Sequence, residues 1–270
     1  MKTPLSAMAL ALTVAFCGSA ARAANDTAGP EVRAALAQRG DANSASIGQI
    51  QSTRAIGLIE QAGNHNTGFI KEEQAQASMA YAEQRGASNL ANLQQQRVDD
   101  FQAIAQQLGT NNTIALTQLQ SAVEGAILQQ KGDANLLAVV QENVHLAPFG
   151  VHQIGNANMA TATQRDGMST ASSIAQTGSG NQAISDQLGS HNASAIIQLG
   201  NNNAATLAQG LHLSESLITQ TGNGNRVTVT QTGTASTGGP NTAVVMQTGT
   251  DAAAHVLQFG SANQVCIYQH

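Results

Sequence analysis

An aliphatic residue followed two positions later by glutamine recurs along most of the chain. Counted from Gln38 to Gln269, the glutamines occupy 20 of 21 regularly spaced positions, which we call nodes, and Glu72 occupies the other. The interval between nodes alternates between 11 and 12 residues up to Gln187 and is 11 afterwards, except for a gap of 16 before Gln247. A fixed period predicts one small structural unit that repeats along the chain.

The positions that precede a node alternate between two kinds of side chain. Asparagine often lies six residues before the node, a small residue four before and an aliphatic residue two before, as in Asn89, Ala91, Leu93 and Gln95. Because alternate residues of a strand point to the same face, these four positions would share one face of a β-strand. Thr, Ser, Arg and Lys are scattered over the intervening positions. This period of two predicts a short strand before each node.

Glycine and asparagine follow the nodes at fixed distances. Glycine often stands two residues after a node and asparagine five after, so that Q-x-G-x-x-N recurs, as in the segment from Gln130 to Asn135. Both residue types adopt positive φ at low cost, so the motif predicts a tight turn entered from glutamine and left through asparagine. The predicted turn glycines are Gly40, Gly63, Gly86, Gly109, Gly132, Gly155, Gly178, Gly189, Gly200, Gly222, Gly233, Gly249 and Gly260.

An 11-residue period is also compatible with a helix, because 11 residues make three helical turns and can form a right-handed coiled coil. Residues 71–107 are rich in Ala, Gln and Glu, so that the local propensity there favours a helix. The recurring glycines argue against a helix, since each would cost about 1 kcal/mol relative to alanine in a helix interior. We therefore predict strands and turns, including over residues 71–107.

The predicted fold is all-β: a β-solenoid of stacked strand-turn-strand repeats with about 22 residues per coil, which becomes cross-β on polymerisation. Inward glutamines and asparagines would form ladders, because each side-chain amide has donors and an acceptor to exchange with the same residue one coil away. The predicted ladder glutamines are Gln84, Gln95, Gln107, Gln118, Gln130, Gln141, Gln153, Gln164, Gln176, Gln187, Gln198, Gln209, Gln220, Gln231, Gln247, Gln258 and Gln269. The predicted ladder asparagines are Asn89, Asn112, Asn135, Asn158, Asn181, Asn192, Asn203, Asn225, Asn241 and Asn263.

The beginning of the chain has the features of a secretory signal peptide. Lys2 gives a positive start, the mostly apolar run of residues 7–17 is too short to span a membrane, and Ala21-Arg-Ala23 matches an A-x-A cleavage site. We therefore predict a signal peptide at residues 1–23, an N-terminal segment at 24–37 and the repeat region at 38–270. Loss of Lys2 and Arg22 would change the formal charge from −5 to −7.

Composition and charge exclude several functions. The chain has no Trp, 3% aromatic residues and 10% charged residues, so it cannot build a conventional aromatic-rich core. An acidic chain without a basic cluster is not expected to bind nucleic acid. The histidines lack the compact spacing of metal ligands, and neither a catalytic constellation nor a phosphate-binding loop stands out, so we predict no enzyme and no cofactor.

The full repeat, Q-x-G-x-x-N-x-A-x-x-x-Q, occurs from Gln153 to Gln164 and resembles the curlin repeat of secreted curli amyloid fibres of Gram-negative bacteria. The resemblance covers nearly all of residues 38–270. One difference is that the family typically has Ser six residues before the glycine-bearing node, where this chain has Ser78, Phe101, Glu124, Ala147 and Thr170. The resemblance implies subunits exported unfolded through the periplasm and across the outer membrane, with residues 24–37 as the export-targeting segment, and templated into extracellular fibres.

The sequence therefore predicts a secreted structural subunit of curli-like fibres that supports cell adhesion and the biofilm matrix. Its partners would be itself or a related subunit, the outer-membrane export machinery, and surfaces or matrix. Polymerisation would proceed by templating on the open strands at the ends of the solenoid. The alternative is a monomeric β-solenoid that binds ice or a glycan through a flat face of Thr-x-Thr rungs, for which the candidates are 161–163 and 228–230. A β-helix enzyme such as a polysaccharide lyase would need charges clustered on one side, and the charges here are evenly scattered.

Overall fold

A computed structural model describes residues 11–16, 20–26, 32–210, 212–233 and 239–270. All the regular elements among these residues are β-strands, as the sequence predicted, and residues 71–107 contribute strands rather than a helix. The strands are β1 (Ala11–Phe16), β2 (Ala20–Asp26), β3 (Arg33–Arg39), β4 (Ser44–Ile50), β5 (Ile56–Asn64), β6 (Thr67–Glu73), β7 (Met79–Ala87), β8 (Leu90–Gln96), β9 (Asp99–Thr110), β10 (Thr113–Leu119), β11 (Ala122–Lys131), β12 (Leu136–His145), β13 (Phe149–Asn156), β14 (Met159–Met168), β15 (Ala171–Ser179), β16 (Gln182–Leu188), β17 (Ala193–Asn201), β18 (Ala204–Gly210), β19 (Ser214–Asn223), β20 (Arg226–Thr232), β21 (Asn241–Thr250), β22 (Ala253–Phe259) and β23 (Gln264–Gln269).

Each strand pairs in parallel with the strand two places along the chain. The odd-numbered strands form one stack and the even-numbered strands form another, so that one odd and one even strand make a coil. Gln130 of β11 is in register with Gln153 of β13, which sets a coil of 23 residues. This arrangement is a β-solenoid of about ten coils and confirms the predicted fold class.

The pairing register of the strands is maintained where the number of residues per coil changes. Gln176 pairs with Gln198 after the coil shortens to 22 residues, and Gln220 pairs with Gln247 across 27 residues. The extra residues of that longest coil include 234–238, which lie outside the described residues. Pairing of identical nodes therefore sets the alignment of coils, and additional residues are accommodated between strands.

The core is a narrow column of aliphatic and small side chains between the two stacks. Ile59, Leu93 and Leu116, each two residues before a node, are at most 1% exposed, and Ala103 and Ala160, each four before a node, are fully buried. The intervening residues of each strand point outward, which produces the alternating burial of strands such as β10 and β18. The inward set is the one that the sequence period predicted.

The two kinds of turn explain why glycine follows only some of the nodes. In the turns after odd-numbered strands, the glycine two residues after the node has φ between 109° and 129°, as at Gly40 and Gly109. In the turns after even-numbered strands from β4 to β14, the same place has φ near 50°, as at Gln51 and Asp166. Residues other than glycine occupy this second, left-handed region at modest cost, whereas the first region is essentially restricted to glycine.

The structure differs from the predicted turn in the residue that has the second positive φ. The second positive φ lies at the residue before asparagine, such as His65 (58°) or Ala157 (54°), and the asparagine itself points into the core. Gly233, which was predicted to occupy the glycine place, is not among the positive-φ residues of the described chain. The asparagine is thus used for its side chain and not for its backbone freedom.

Candidate functional site

A continuous ladder of glutamine side chains runs through the odd-numbered strands. In each step, Nε2 of one glutamine donates to Oε1 of the glutamine in the next coil, over distances of 2.6 to 3.1 Å. The members are Gln38, Gln61, Gln84, Gln107, Gln130, Gln153, Gln176, Gln198, Gln220, Gln247 and Gln269. All the members except the last are buried. The ladder has one direction, with donors pointing towards the C-terminal end.

The second hydrogen of each ladder amide connects the two stacks. Gln84 Nε2 also donates to the backbone oxygen of Thr67 on β6, at 3.0 Å, and Gln130 Nε2 donates likewise to Thr113 on β10. A primary amide has two donor hydrogens and an acceptor oxygen, and these contacts use all three. Burial of the amides is therefore compensated, which an isolated buried glutamine would not achieve.

The even-numbered strands carry a second ladder that is interrupted at Glu72. From Gln95 onward, the steps measure 2.7 to 2.9 Å through Gln118, Gln141, Gln164, Gln187, Gln209, Gln231 and Gln258. Before the interruption, Gln49 Nε2 donates to Glu72 Oε2 at 2.5 Å. Glu72 and Gln95 are in direct register, but the amide-to-amide step is missing between them and Gln95 Oε1 has no hydrogen-bond partner.

Glu72 has an unusual titration for a glutamate. It is completely buried, and this burial raises the pKa of its carboxyl group to about 7, although hydrogen bonds from Gln49 and Ser78 oppose the rise. At the surface, the hydrogen bond and charge of Lys71 lower the pKa of Glu73, and hydrogen bonds from Thr110 lower that of Asp133. Glu72 is therefore a ladder member whose charge can change near neutral pH.

The asparagines form a third column at the turns after the odd-numbered strands. Asn66 Nδ2 donates to Asn43 Oδ1 at 3.1 Å and to the backbone oxygen of Gly86 at 2.9 Å. The backbone N–H of Asn66 donates to the same Asn43 oxygen, at 3.0 Å. This arrangement continues through Asn89, Asn112, Asn135, Asn158, Asn181 and Asn203. Each asparagine thus holds the glycine turn of the following coil in place.

A shorter column follows the even-numbered strands near the C-terminal end. Asn192 Oδ1 accepts from the backbone N–H of Ser214, and Asn263 Nδ2 donates to Asn241 Oδ1. Asn225 accepts from the backbone of Ala252 where the main column ends. The predicted ladder glutamines and asparagines therefore all lie in inward columns, although Asn263 and Gln269 are half-buried because they belong to the last coil.

The glycines in the turns after odd-numbered strands, from Gly40 to Gly222, are packed too closely for any side chain. A Cβ atom on Gly155 would overlap the backbone oxygen of Gly178 in the next coil, and one on Gly63 would overlap that of Gly86. Glycine is thus required both by φ and by the separation of stacked turns. Gly189 and Gly260, on the even-numbered side of the late coils, also have a positive φ, of 90°.

The C-terminal end of the stack exposes an unpaired strand. Within the described residues β23 pairs with β21 on one edge, and its other edge has no strand partner. The last coil also exposes apolar side chains, with Phe259 67% and Tyr268 61% exposed. Val265 and Ile267 are only partly buried against the core. An open backbone edge beside an incompletely covered core is a surface on which another strand can pair.

The described residues lack two features that would indicate other kinds of function. They contain no group of three or more His, Cys, Asp or Glu that could hold a metal ion. Among the same residues, no helix is long and apolar enough to cross a membrane.

The sequence indicated the ladder members but not the effect of Glu72. The period placed Glu72 at a node, yet the direction of the ladder, which decides what a carboxyl group does there, becomes visible only in the folded chain. Ser172, Ser185 and Ser194 were also not predicted as a set; their hydroxyl groups form a buried cluster with separations of 2.8 to 3.3 Å. This cluster lies where serine replaces the usual aliphatic residue two places before Gln187.

Comparison with known families supports the resemblance at one repeat. Residues 214–233, which contain all of β19 and β20, match the family model described as the curlin associated repeat. No curated protein matches the chain. The curlin repeat predicted from the spacing of Gln, Gly and Asn is thus confirmed in residues 214–233, which contain Gln220, Gly222, Asn225 and Gln231.

Proposed function

We propose that this chain is a secreted structural subunit of curli-like extracellular fibres, and that it polymerises when one copy adds its first coil to the last coil of another. The observation that carries the proposal is the open edge of β23 at the end of an uninterrupted glutamine ladder. An unpaired strand is a template for pairing, and an identical repeat offers the best-matched partner.

The N-terminal end would be complementary after cleavage of the signal peptide. Removal of residues 1–23, part of which lies outside the described residues, would take away β1 and the first half of β2. Strand β3, which β1 covers in the uncleaved chain, would then be open along its length. Ile267 and Gln269 of one copy would stack on Leu36 and Gln38 of the next.

The direction of the ladders favours head-to-tail addition. Every step in the odd-numbered stack donates towards the C-terminal end, so that this end presents an amide donor and the other end an amide acceptor. Two C-terminal ends would bring donor against donor. Heterologous contacts that do not close into a ring produce open filaments, as a fibre requires.

Adhesion and biofilm support follow as proposals from a fibre of this kind, together with export through the periplasm and an outer-membrane machinery that recognises residues 24–37. Residues 27–31 of that segment lie outside the described residues. A structural role is supported by the β-solenoid fold and by the curlin associated repeat at residues 214–233.

The alternative of a flat threonine-rich binding face is less well supported by the outward surface of the even-numbered stack. Thr161 and Thr163 on β14 are followed by Ile184 and Asp186 on β16 at the same positions. Regular Thr rungs begin again only further along the stack, at 228–230 on β20. The threonines therefore do not form an unbroken face.

The proposal is tested by thioflavin fluorescence against time on residues 24–270, desalted from denaturant, with and without preformed seed. We expect a lag that seed abolishes and fibres that bind the dye. A soluble, monodisperse β-rich monomer that never binds the dye would contradict the fibre proposal and favour the binding module.

A further inference from the structure

The interruption at Glu72 leaves one specific atom without a hydrogen bond. From Gln118 to Gln258 in this ladder, Oε1 of each glutamine accepts from Nε2 of the preceding coil, as Gln118 Oε1 accepts from Gln95. The residue that precedes Gln95 is Glu72, in direct register with it. Gln95 Oε1 is buried and has no hydrogen-bond partner. A carboxylate has no hydrogen to give it.

The two oxygens of Glu72 already have different roles. Oε2 accepts from Gln49 Nε2 at 2.5 Å and so takes the place of a glutamine Oε1. Oε1 accepts from Ser78 Oγ at 3.0 Å and takes the place of a glutamine Nε2, the donor of the ladder. A proton on Oε1 would restore the missing donor towards Gln95.

The surroundings provide nothing to balance a negative charge. The inward positions that face Glu72 carry uncharged residues: Gln49 on β4, Gly57 and Ile59 on β5, Ala80 and Ala82 on β7, and Gln95 on β8. Apart from Glu72, the charged and titratable residues of β5, β6 and β7 are Glu60, Lys71, Glu73, Tyr81, Glu83 and Arg85, all at outward positions. Strands β4 and β8 contain none. The ion pairs of this region, Lys71 with Glu73 and Arg85 with Glu83, are made on the outer surface. A buried charge without a partner strongly destabilises the folded state.

We propose that Glu72 is a proton-operated lock within the N-terminal coils. When protonated, its carboxyl group donates to Gln95 Oε1 and joins Gln49 to the rest of the even-numbered ladder. When ionised, it places an uncompensated charge in the core and leaves the Gln95 oxygen without a donor. The lock is a property of the folded solenoid and does not depend on fibre formation.

The pH range follows from the direction of the shift. The folded-state pKa of Glu72 is about 7, above its ordinary value of 4.5, so the protonated form is the one that folding favours. The stabilisation is complete below pH 4.5 and is lost as the pH rises through 7. Over this interval the ratio of folded to unfolded chain should fall about tenfold per pH unit, or about 300-fold in total. Acidic conditions would thus stabilise the pairing of β4, β6 and β8, and mildly alkaline conditions would destabilise it.

The test is a pH titration of the Glu72 carboxyl ¹³C signal in residues 24–270 labelled at glutamate. The signal can be followed in solution for folded monomer or by solid-state NMR for fibres, and it is assigned by its disappearance in Glu72→Gln. We expect a midpoint near 7. A midpoint near the ordinary value of 4.5 would overturn the proposal.

Equilibrium unfolding in urea between pH 4.5 and pH 8 gives an independent measurement. Glu72→Gln supplies the amide found at the other nodes, so the variant should fold. Its free energy of unfolding should not show the decrease between pH 4.5 and pH 8 that we expect for the wild type. Glu60→Gln is the matched control, because it removes the same charge from an exposed position on the neighbouring strand β5. Its pH dependence should follow the wild type. Identical pH profiles for Glu72→Gln and the wild type would also refute the lock.

Discussion

Replacement of Gln153 by methionine tests whether the ladders stabilise the solenoid. Gln153 is fully buried in the middle of the odd-numbered ladder. Its oxygen accepts from Gln130 at 2.8 Å, and its nitrogen donates to Gln176 at 2.7 Å and to the backbone oxygen of Leu136 at 3.2 Å. Methionine has a similar length and flexibility but cannot replace these bonds. The substitution therefore removes hydrogen bonding with little change in shape.

The expected loss can be estimated from the groups left behind. Gln176 Oε1 loses its ladder donor, and Gln130 Nε2 keeps only its bond to the Thr113 backbone. A buried polar group left unpaired costs about 1–3 kcal/mol, so the two together cost about 2–6 kcal/mol. Burial of the less polar methionine side chain returns about 1–2 kcal/mol. Taking the middle of each range, we expect a net destabilisation of about 2.5 kcal/mol.

The measurement is urea unfolding of folded residues 24–270, followed by far-ultraviolet circular dichroism. The matched control is Gln182→Met, which makes the same change at an exposed position on β16 and should alter stability by less than about 0.5 kcal/mol. If Gln153→Met were as stable as the wild type or more so, the reasoning would be refuted. The aliphatic column would then hold the coils together without help from the ladder.

Three further results are expected. Gly155→Ala should destabilise the solenoid by at least about 3 kcal/mol in urea unfolding, because φ is 112° and the Cβ atom would overlap the next turn. Gly150→Ala, which has open space around its Cβ atom, should be nearly neutral, and equal effects of the two substitutions would contradict the stacking of the turns. Ile267→Lys should slow seeded growth strongly, since its side chain lies at the exposed end of the aliphatic column that the next copy would cover. Tyr268→Lys on the outward face should not, and equal rates in a thioflavin assay would exclude β23 as the growing edge. Cys266, which is exposed and outward, should react with a maleimide in fibres as fast as in the monomer, and protection in fibres would show that this face is covered by a lateral contact.

The inward positions could be predicted from the sequence because the period of the strand and the period of the repeat agree. Asn89, Ala91, Leu93 and Gln95 share parity, and all four are buried. Glycine at a fixed distance from alternate nodes also indicated which turns require unusual φ. Residues 71–107 form strands in spite of their helical propensity, because each of their strands pairs with a strand in the coil on either side, and this pairing outweighs local propensity.

Other features depend on the three-dimensional arrangement and could not be inferred from spacing. Residues as different as Gln51 and Asp166 take the glycine place in the longer turns, because φ near 50° is open to many side chains. The left-handed residue before asparagine varies in the same way, as at His65. The direction of the amide ladder, on which the role of Glu72 depends, arises from side-chain rotamers and leaves no trace in the sequence.

The central claim, that copies of this solenoid stack head to tail with their strands in register, is tested most directly by helical reconstruction of the fibres from electron cryomicroscopy images. With strands about 4.8 Å apart, about ten coils and the junction should give an axial advance of about 50 Å per copy. We expect that advance, with β23 of one copy beside β3 of the next and the glutamine columns continuous across the junction. A fibre in which the strands of different copies lie antiparallel, or in which each copy advances by a single strand spacing, would contradict the account.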